Sequence, residues 1–174
     1  MQPRLIHLYW GNGKGKTTAA MGLALRALGN GWRVGIVQFL KGTPSGEITL
    51  LKQLGATVLR DPEGMKFVFQ MTEEEKQQTY QTQNQRLQQA IQMALDGDLD
   101  LLVLDEVGSA CQLSMLQEDT VRKFVQNKPQ NLELVLTSHQ PIPWMIDSAD
   151  YVTEMACHKH PYEAGISARK GVEY

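Results

Sequence analysis

Residues Gly11-Asn12-Gly13-Lys14-Gly15-Lys16-Thr17-Thr18 combine three alternating glycines with two lysines and two hydroxyls. Glycine tolerates positive φ, so successive backbone N–H groups in such a stretch can turn inward and form a nest for anions. Lys16 would add a full charge to phosphate oxygens, and the Thr17 hydroxyl suits a magnesium ion. Trp10 stands where the usual G-x-x-x-x-G-K-[ST] loop has its first glycine. A second constellation, Leu101-Leu102-Val103-Leu104-Asp105-Glu106, ends an apolar run in two carboxylates. Buried charge at a strand tip needs a partner. A divalent cation, Mg²⁺ or Mn²⁺, shared by Thr17, Asp105 and Glu106 with a bound phosphate would supply one. The bland alternatives are an empty glycine turn and a solvated acidic turn. Nucleotide binding is what these residue types support; which bond then breaks is left open.

The elements that must position these groups can be read from apolar periodicity. Residues 5–9 form a short apolar run ending at glycine, which predicts a buried strand. From Lys16 to Leu28 the alanines and leucines share one helical face, and Gly29-Asn30-Gly31 ends it. Further strands are expected at 34–40, 57–59, 99–104 and 132–136, with an edge strand at 151–155 and a short helix at 47–54. Thr72-Glu73-Glu74-Glu75 matches a capping box and predicts a long helix to Leu95, with Tyr80, Leu87, Ile91 and Leu95 along one face. Its glutamines from 77 to 92 read as a solvated face. Strands alternating with helices predict an α/β fold of P-loop NTPase-like type, a mostly parallel sheet with helices on both faces. Ligands in such folds sit at the carboxyl ends of the strands. The loops at 10–16, 38–47, 61–71, 105–112 and 137–143 should gather there.

The whole chain sets bounds on function. Its 174 residues fit one domain, and 42% apolar content is ordinary for a globular protein. A formal charge of −2 argues against a general nucleic-acid binder. Two distant cysteines, Cys111 and Cys157, suit a reducing cytosol better than a disulfide scaffold. No signal-peptide core or membrane span is visible, so a cytoplasmic protein is expected. Cys157-His158-Lys159-His160 looks like a metal cluster but has no second ligand pair at zinc-site spacing. Lys159, His160, Arg169 and Lys170 read instead as a basic C-terminal segment, folded over an anion or solvated. Trp144, after Pro141-Ile142-Pro143, reads as a helix-start anchor.

The segments "GNGKGKTTAA", "VGIVQFLKG", "LLVLDEV", "ADYVTEM" and "KHPYEAGISARKGVEY" together resemble the ATP:corrinoid adenosyltransferases of the cobalamin-synthesis type, in order and over essentially the whole chain. The resemblance implies that a Co(I) corrinoid attacks the 5′ carbon of ATP and that the entire triphosphate leaves. It implies that Gly11 to Thr18 bind the triphosphate, with Mg²⁺ at Thr17 and Glu106, joined by Asp105. It also implies a homodimer supplied with electrons by a donor such as a flavoprotein, acting on cob(I)alamin or a cobyrinic acid derivative. The family's phenylalanine and tryptophan that crowd the lower corrinoid face align with Phe67 and Phe69. From the residues alone, two alternating phenylalanines would be core packing. Three departures stand out: Trp10 for a small residue or threonine, Ser138-His139 for glycine-arginine, and Phe69 for tryptophan. The first would repack the nucleotide pocket and the second would remove a cation. No extension of the kind that covers the site in some relatives is expected ahead of the first strand. A phosphoryl-transfer enzyme or ATPase, and a non-catalytic ATP- and corrinoid-binding paralogue, are the competing readings.

Overall fold

The computed structural model describes residues 3–173. Six strands form one sheet: β1 (Ile6–Trp10), β2 (Val34–Gln38), β3 (Thr57–Arg60), β4 (Leu101–Asp105), β5 (Glu133–Ser138) and β6 (Tyr151–Glu154). They lie in the order β3-β2-β4-β5-β1-β6, and every neighbouring pair is parallel. Parallel neighbours need crossovers, and helices supply them. α1 (Lys16–Gly29) and α2 (Gly46–Gln53) bury Ala20, Ala24, Ile48 and Leu51 on one face. α3 (Glu73–Leu95), α4 (Val107–Gln112), α5 (Glu118–Gln126) and α6 (Pro143–Ser148) cover the other. Central strands β2 and β4 are buried at every position, as a doubly covered sheet requires.

The expected strands and long helix are present, with shifted ends. β2 stops at Gln38 rather than residue 40 because Leu40 adopts φ 55°, which leaves the extended region. β4 begins two residues late; the Asp100 and Leu101 N–H groups both bond to the Arg33 carbonyl as the chain enters the sheet. The capping box opening α3 is formed: Glu75 N–H donates to Thr72 Oγ1 at 3.2 Å, and Thr72 N–H donates to Glu75 Oε2 at 2.9 Å. The buried stripe of α3 differs from the expected one. Gln83, Leu87, Ala90 and Ala94 face the sheet, while Leu95 is exposed. Small alanines let the helix lie close to β2, so burial follows the alanine row rather than the larger side chains. Helices α4 and α6 have six residues each, too short for a period to declare itself in the sequence.

Trp144 occupies the first turn of α6 and donates its Nε1–H to Glu118 Oε1 on α5 at 2.9 Å, so it does anchor a helix start. Among the described residues, no helix is long and apolar enough to cross a membrane. Leu104 is fully buried in β4, so Leu104→Ala should lower unfolding free energy by about 2–5 kcal/mol in a urea titration. Leu50→Ala, at an exposed position on α2, should change it by less than about 0.5 kcal/mol.

Candidate active site

The glycine-rich loop leaves β1 at Trp10 and enters α1 at Lys16. Gly11 and Gly15 take φ of 119° and 122°, the left-handed region where a side chain would be strained. Gly13 is needed for space: its N–H donates to the Met155 carbonyl at 2.6 Å, and a Cβ there would stand 2.5 Å from that oxygen. Gly11 N–H donates to the His139 carbonyl at 3.1 Å, and Asn12 Oδ1 accepts from Cys157 N–H at 2.9 Å. The loop is thus clasped by the segments following β5 and β6. Lys16 Nζ reaches back to the Gly11 and Gly13 carbonyls at 2.7 and 2.9 Å. Asn12 to Thr18, with Lys41, Thr43, Glu106 and His160, line a cavity of about 330 Å³.

Asp105, at the end of β4, is fully buried. Its Oδ1 accepts from Thr17 at 3.0 Å and from Thr137 at 2.8 Å; its Oδ2 accepts from Gln38 Nε2 at 3.1 Å and Lys41 Nζ at 2.9 Å. Thr17 and Asp105, two of the three residues expected from the sequence to share a cation, are thus in direct hydrogen-bond contact. Glu106 lines the same cavity, but its carboxylate accepts from Ser109 Oγ at 2.8 Å. Its backbone sits at φ 62°, an uncommon conformation for a non-glycine residue, held by Thr137 Oγ1 accepting from its N–H at 2.7 Å. Sequence reasoning missed Gln38, Lys41 and Thr137 as site residues. The first two lie within the Q-F-L-K-G segment, whose polar ends flank apolar positions; nothing local singles out Thr137.

These oxygens fit a hard divalent cation. Thr17, Asp105 and Glu106 offer the hydroxyl and carboxylate donors that magnesium favours. The Gln38 Oε1 atom is buried without a hydrogen-bond partner, an oxygen still in need of a donor or cation beside the carboxylate. No group of three or more histidine, cysteine or acidic side chains able to hold a metal occurs among the described residues.

Phe67 and Phe69 are 68% and 82% exposed and stack on each other at 5.6 Å between ring centroids. Core packing is therefore not their role. Their loop is fastened to the one carrying Lys41. Gly64 N–H donates to the Gly42 carbonyl at 3.1 Å, Arg60 Nη2 donates to the Lys41 and Thr43 carbonyls, and a Cβ at Gly42 would collide with Met65. Asp61, pinned by Gln83 and Arg86 of α3, fixes the start of the same loop. Gln83 is thus the exception to the solvated glutamine face.

Glycine-rich loop, buried carboxylate, lysine segment and aromatic loop all follow the carboxyl ends of strands in one sheet. Residues 2–174 match the family described as ATP:corrinoid adenosyltransferase BtuR/CobO/CobP. The chain belongs to this family. A corrinoid adenosyltransferase of Pseudomonas aeruginosa is 38% identical over 98% of this chain and 82% of its own length. Corrinoid adenosyltransferases of Salmonella typhimurium and Escherichia coli are 36% and 34% identical, over 98% of this chain and 85% of theirs.

Within this adenosyltransferase fold, the departures at positions 10 and 138–139 have structural explanations. Trp10 packs against the apolar cluster on the α3 side and is not among the residues lining the cavity. Ser138 is buried against Gly108, where a Cβ would meet its hydroxyl. His139 joins the loop through its backbone. Burial pushes the Cys111 thiol up to about 12, which removes it from thiol chemistry near neutral pH.

The C-terminal segment folds across the cup. Lys14 Nζ donates to the Val172 carbonyl at 2.8 Å and to Glu173 Oε1 at 3.2 Å. Arg169 binds Glu173 through its backbone N–H and its guanidinium. Chiefly through Arg169, then Lys14, the Glu173 pKa falls from 4.5 to about 2. A carboxylate with a depressed folded pKa stabilises the docked form above its ordinary pKa and loses that contribution as pH falls through the lower value. The Glu173 contribution to the order of residues 169–173 should therefore be full above its ordinary pKa and be lost as pH falls through about 2, as read by amide NMR. Glu173→Gln at neutral pH should free the segment and speed trypsin cleavage after Arg169.

Proposed function

We propose that this enzyme transfers the 5′-deoxyadenosyl group of ATP to the Co(I) centre of a corrinoid and releases inorganic triphosphate. The observation that carries this reading is the fastening of an exposed aromatic loop to the lysine loop of a phosphate cup. A flat apolar substrate and a polyphosphate would then be presented to each other at one end of the sheet. The electron pair on Co(I) forms the bond to C5′, the C5′–O bond breaks, and its electrons depart with the triphosphate. No proton has to be removed from the nucleophile. The chain's task is to orient the two substrates and to stabilise charge growing on the leaving oxygen. Lys14, Lys16 and the loop amides supply that stabilisation, and the cup grips the leaving group rather than a group being transferred. Thr17 with Asp105 and Glu106 would hold Mg²⁺, which when bound neutralises part of the triphosphate charge.

Phe67 and Phe69 would crowd the lower corrinoid face and ease reduction of Co(II). The free thiols of Cys111 and Cys157 suit a reducing cytoplasm, where a flavoprotein donor would deliver the electrons. A homodimer is part of the same proposal. Incubation with ATP, Mg²⁺ and Co(I) corrinoid should yield triphosphate and a light-sensitive Co–C bond; formation of ADP and phosphate would establish a phosphoryl-transfer enzyme instead. Lys16→Ala should lower turnover roughly 100-fold or more. Joint replacement of Phe67 and Phe69 by alanine should slow adenosylation from Co(II) corrinoid while leaving ATP affinity unchanged in calorimetry.

A further inference from the structure

The three lysines of the cup are all engaged by the chain itself, but on unlike partners. Lys16 rests on two neutral carbonyls, and Lys14 on the C-terminal segment. Lys41 is different. Its ammonium lies 2.9 Å from the fully buried Asp105 carboxylate and 3.1 Å from Thr17 Oγ1. It is the only cationic partner of Asp105 among the described residues; the other donors are Thr17, Thr137 and Gln38. Lys41 thus sits on the two side chains best placed to hold a divalent cation.

The backbone at this point is built to aim the side chain. Phe39 N–H donates to the Asp105 carbonyl at 3.1 Å, Leu40 turns the chain at φ 55°, and Arg60 holds the Lys41 carbonyl. A bulky residue held in the left-handed region shows that this direction is imposed by its surroundings. The side chain itself is 26% exposed and opens onto the cavity lined by the phosphate loop, so its four-carbon stem can carry the charge elsewhere without moving the backbone.

We propose that Lys41 is a resident counter-ion that couples metal binding to triphosphate binding. Without ligands it neutralises Asp105. When a divalent cation takes the carboxylate, the ammonium is released onto the triphosphate and becomes a further cation on the leaving group. A metal alone would have to displace the ammonium with no new partner to receive it. A triphosphate alone would have to pull Lys41 from Asp105 and leave a buried carboxylate unpaired. Each ligand removes the obstacle to the other, so the site selects the metal–nucleotide complex over either component. The coupling is reciprocal. The proposal rests on the reading of this cavity as a triphosphate site and adds to it the positioning role of Lys41.

The test uses Mn²⁺ and inorganic tripolyphosphate on the intact protein, with bound Mn²⁺ followed by electron paramagnetic resonance and tripolyphosphate by calorimetry. In the native protein each should bind weakly alone and strengthen the other about tenfold or more, a charged hydrogen bond being of that order. Lys41→Met should bind Mn²⁺ alone roughly tenfold more tightly and lose most of the mutual enhancement. Unchanged Mn²⁺ affinity together with unchanged enhancement would overturn the proposal. If Lys41→Met does not fold, Lys41→Arg serves: its fork pairs more firmly with a carboxylate, so joint binding should weaken about tenfold, and native-like joint binding would refute the idea. Native protein that shows the coupling but forms no Co–C bond would sink the proposed reaction and leave the role of Lys41 standing.

Discussion

The buried carboxylate of Asp105 is the charge around which the site is arranged. An ionised group with no exposure is tolerable only if its oxygens are fully engaged and its charge is balanced. Four side chains from three segments meet that need: Thr17 at the start of α1, Gln38 at the end of β2 with Lys41 just beyond it, and Thr137 in β5. Parallel pairing in register sets Gln38 and Asp105 side by side. The carboxylate therefore ties the phosphate loop, the lysine loop and the central sheet into one unit, which would otherwise be separate loops at a sheet edge.

A cup of this kind does not dictate which bond breaks. Amides and ammonium groups stabilise negative charge on phosphate oxygens wherever the bonding electrons came from. What distinguishes this site is what lies beside the cup. The loop bearing Phe67 and Phe69 is fastened to the lysine loop and to α3, so two exposed aromatic rings are held at a defined place. An exposed apolar patch on a braced loop signals a binding surface more than a packing error. The C-terminal segment adds a third wall: it is exposed along its length, yet bound to the cup through Lys14.

Much of this was legible in the sequence because the underlying physics is local. Glycine spacing and the strand–loop–helix context specify a tight, positive-φ loop within a few residues. A run of four apolar residues before Asp105 marks a central parallel strand, and Thr72 with Glu75 marks a helix start. The α/β class and the family resemblance follow from such signals. The weaker expectations lay where local pattern competes with packing. In α3 the alanine row, not the larger residues, faces the sheet, and the two phenylalanines that alternate like core residues lie outside the core.

By itself, then, the sequence determined that this chain folds as a parallel α/β sheet with a glycine-rich loop between its first strand and first helix, since these properties depend on residues close in the chain. Only the tertiary structure decided which side chains meet at the carboxylate. Gln38, Lys41 and Thr137 come from segments up to about a hundred residues apart and are joined to Asp105 by strand order and register. It also decided that Trp10 serves the core and that Glu173 reaches Lys14. Contacts between distant segments are set by how the layers pack, and no local spacing of residues encodes them.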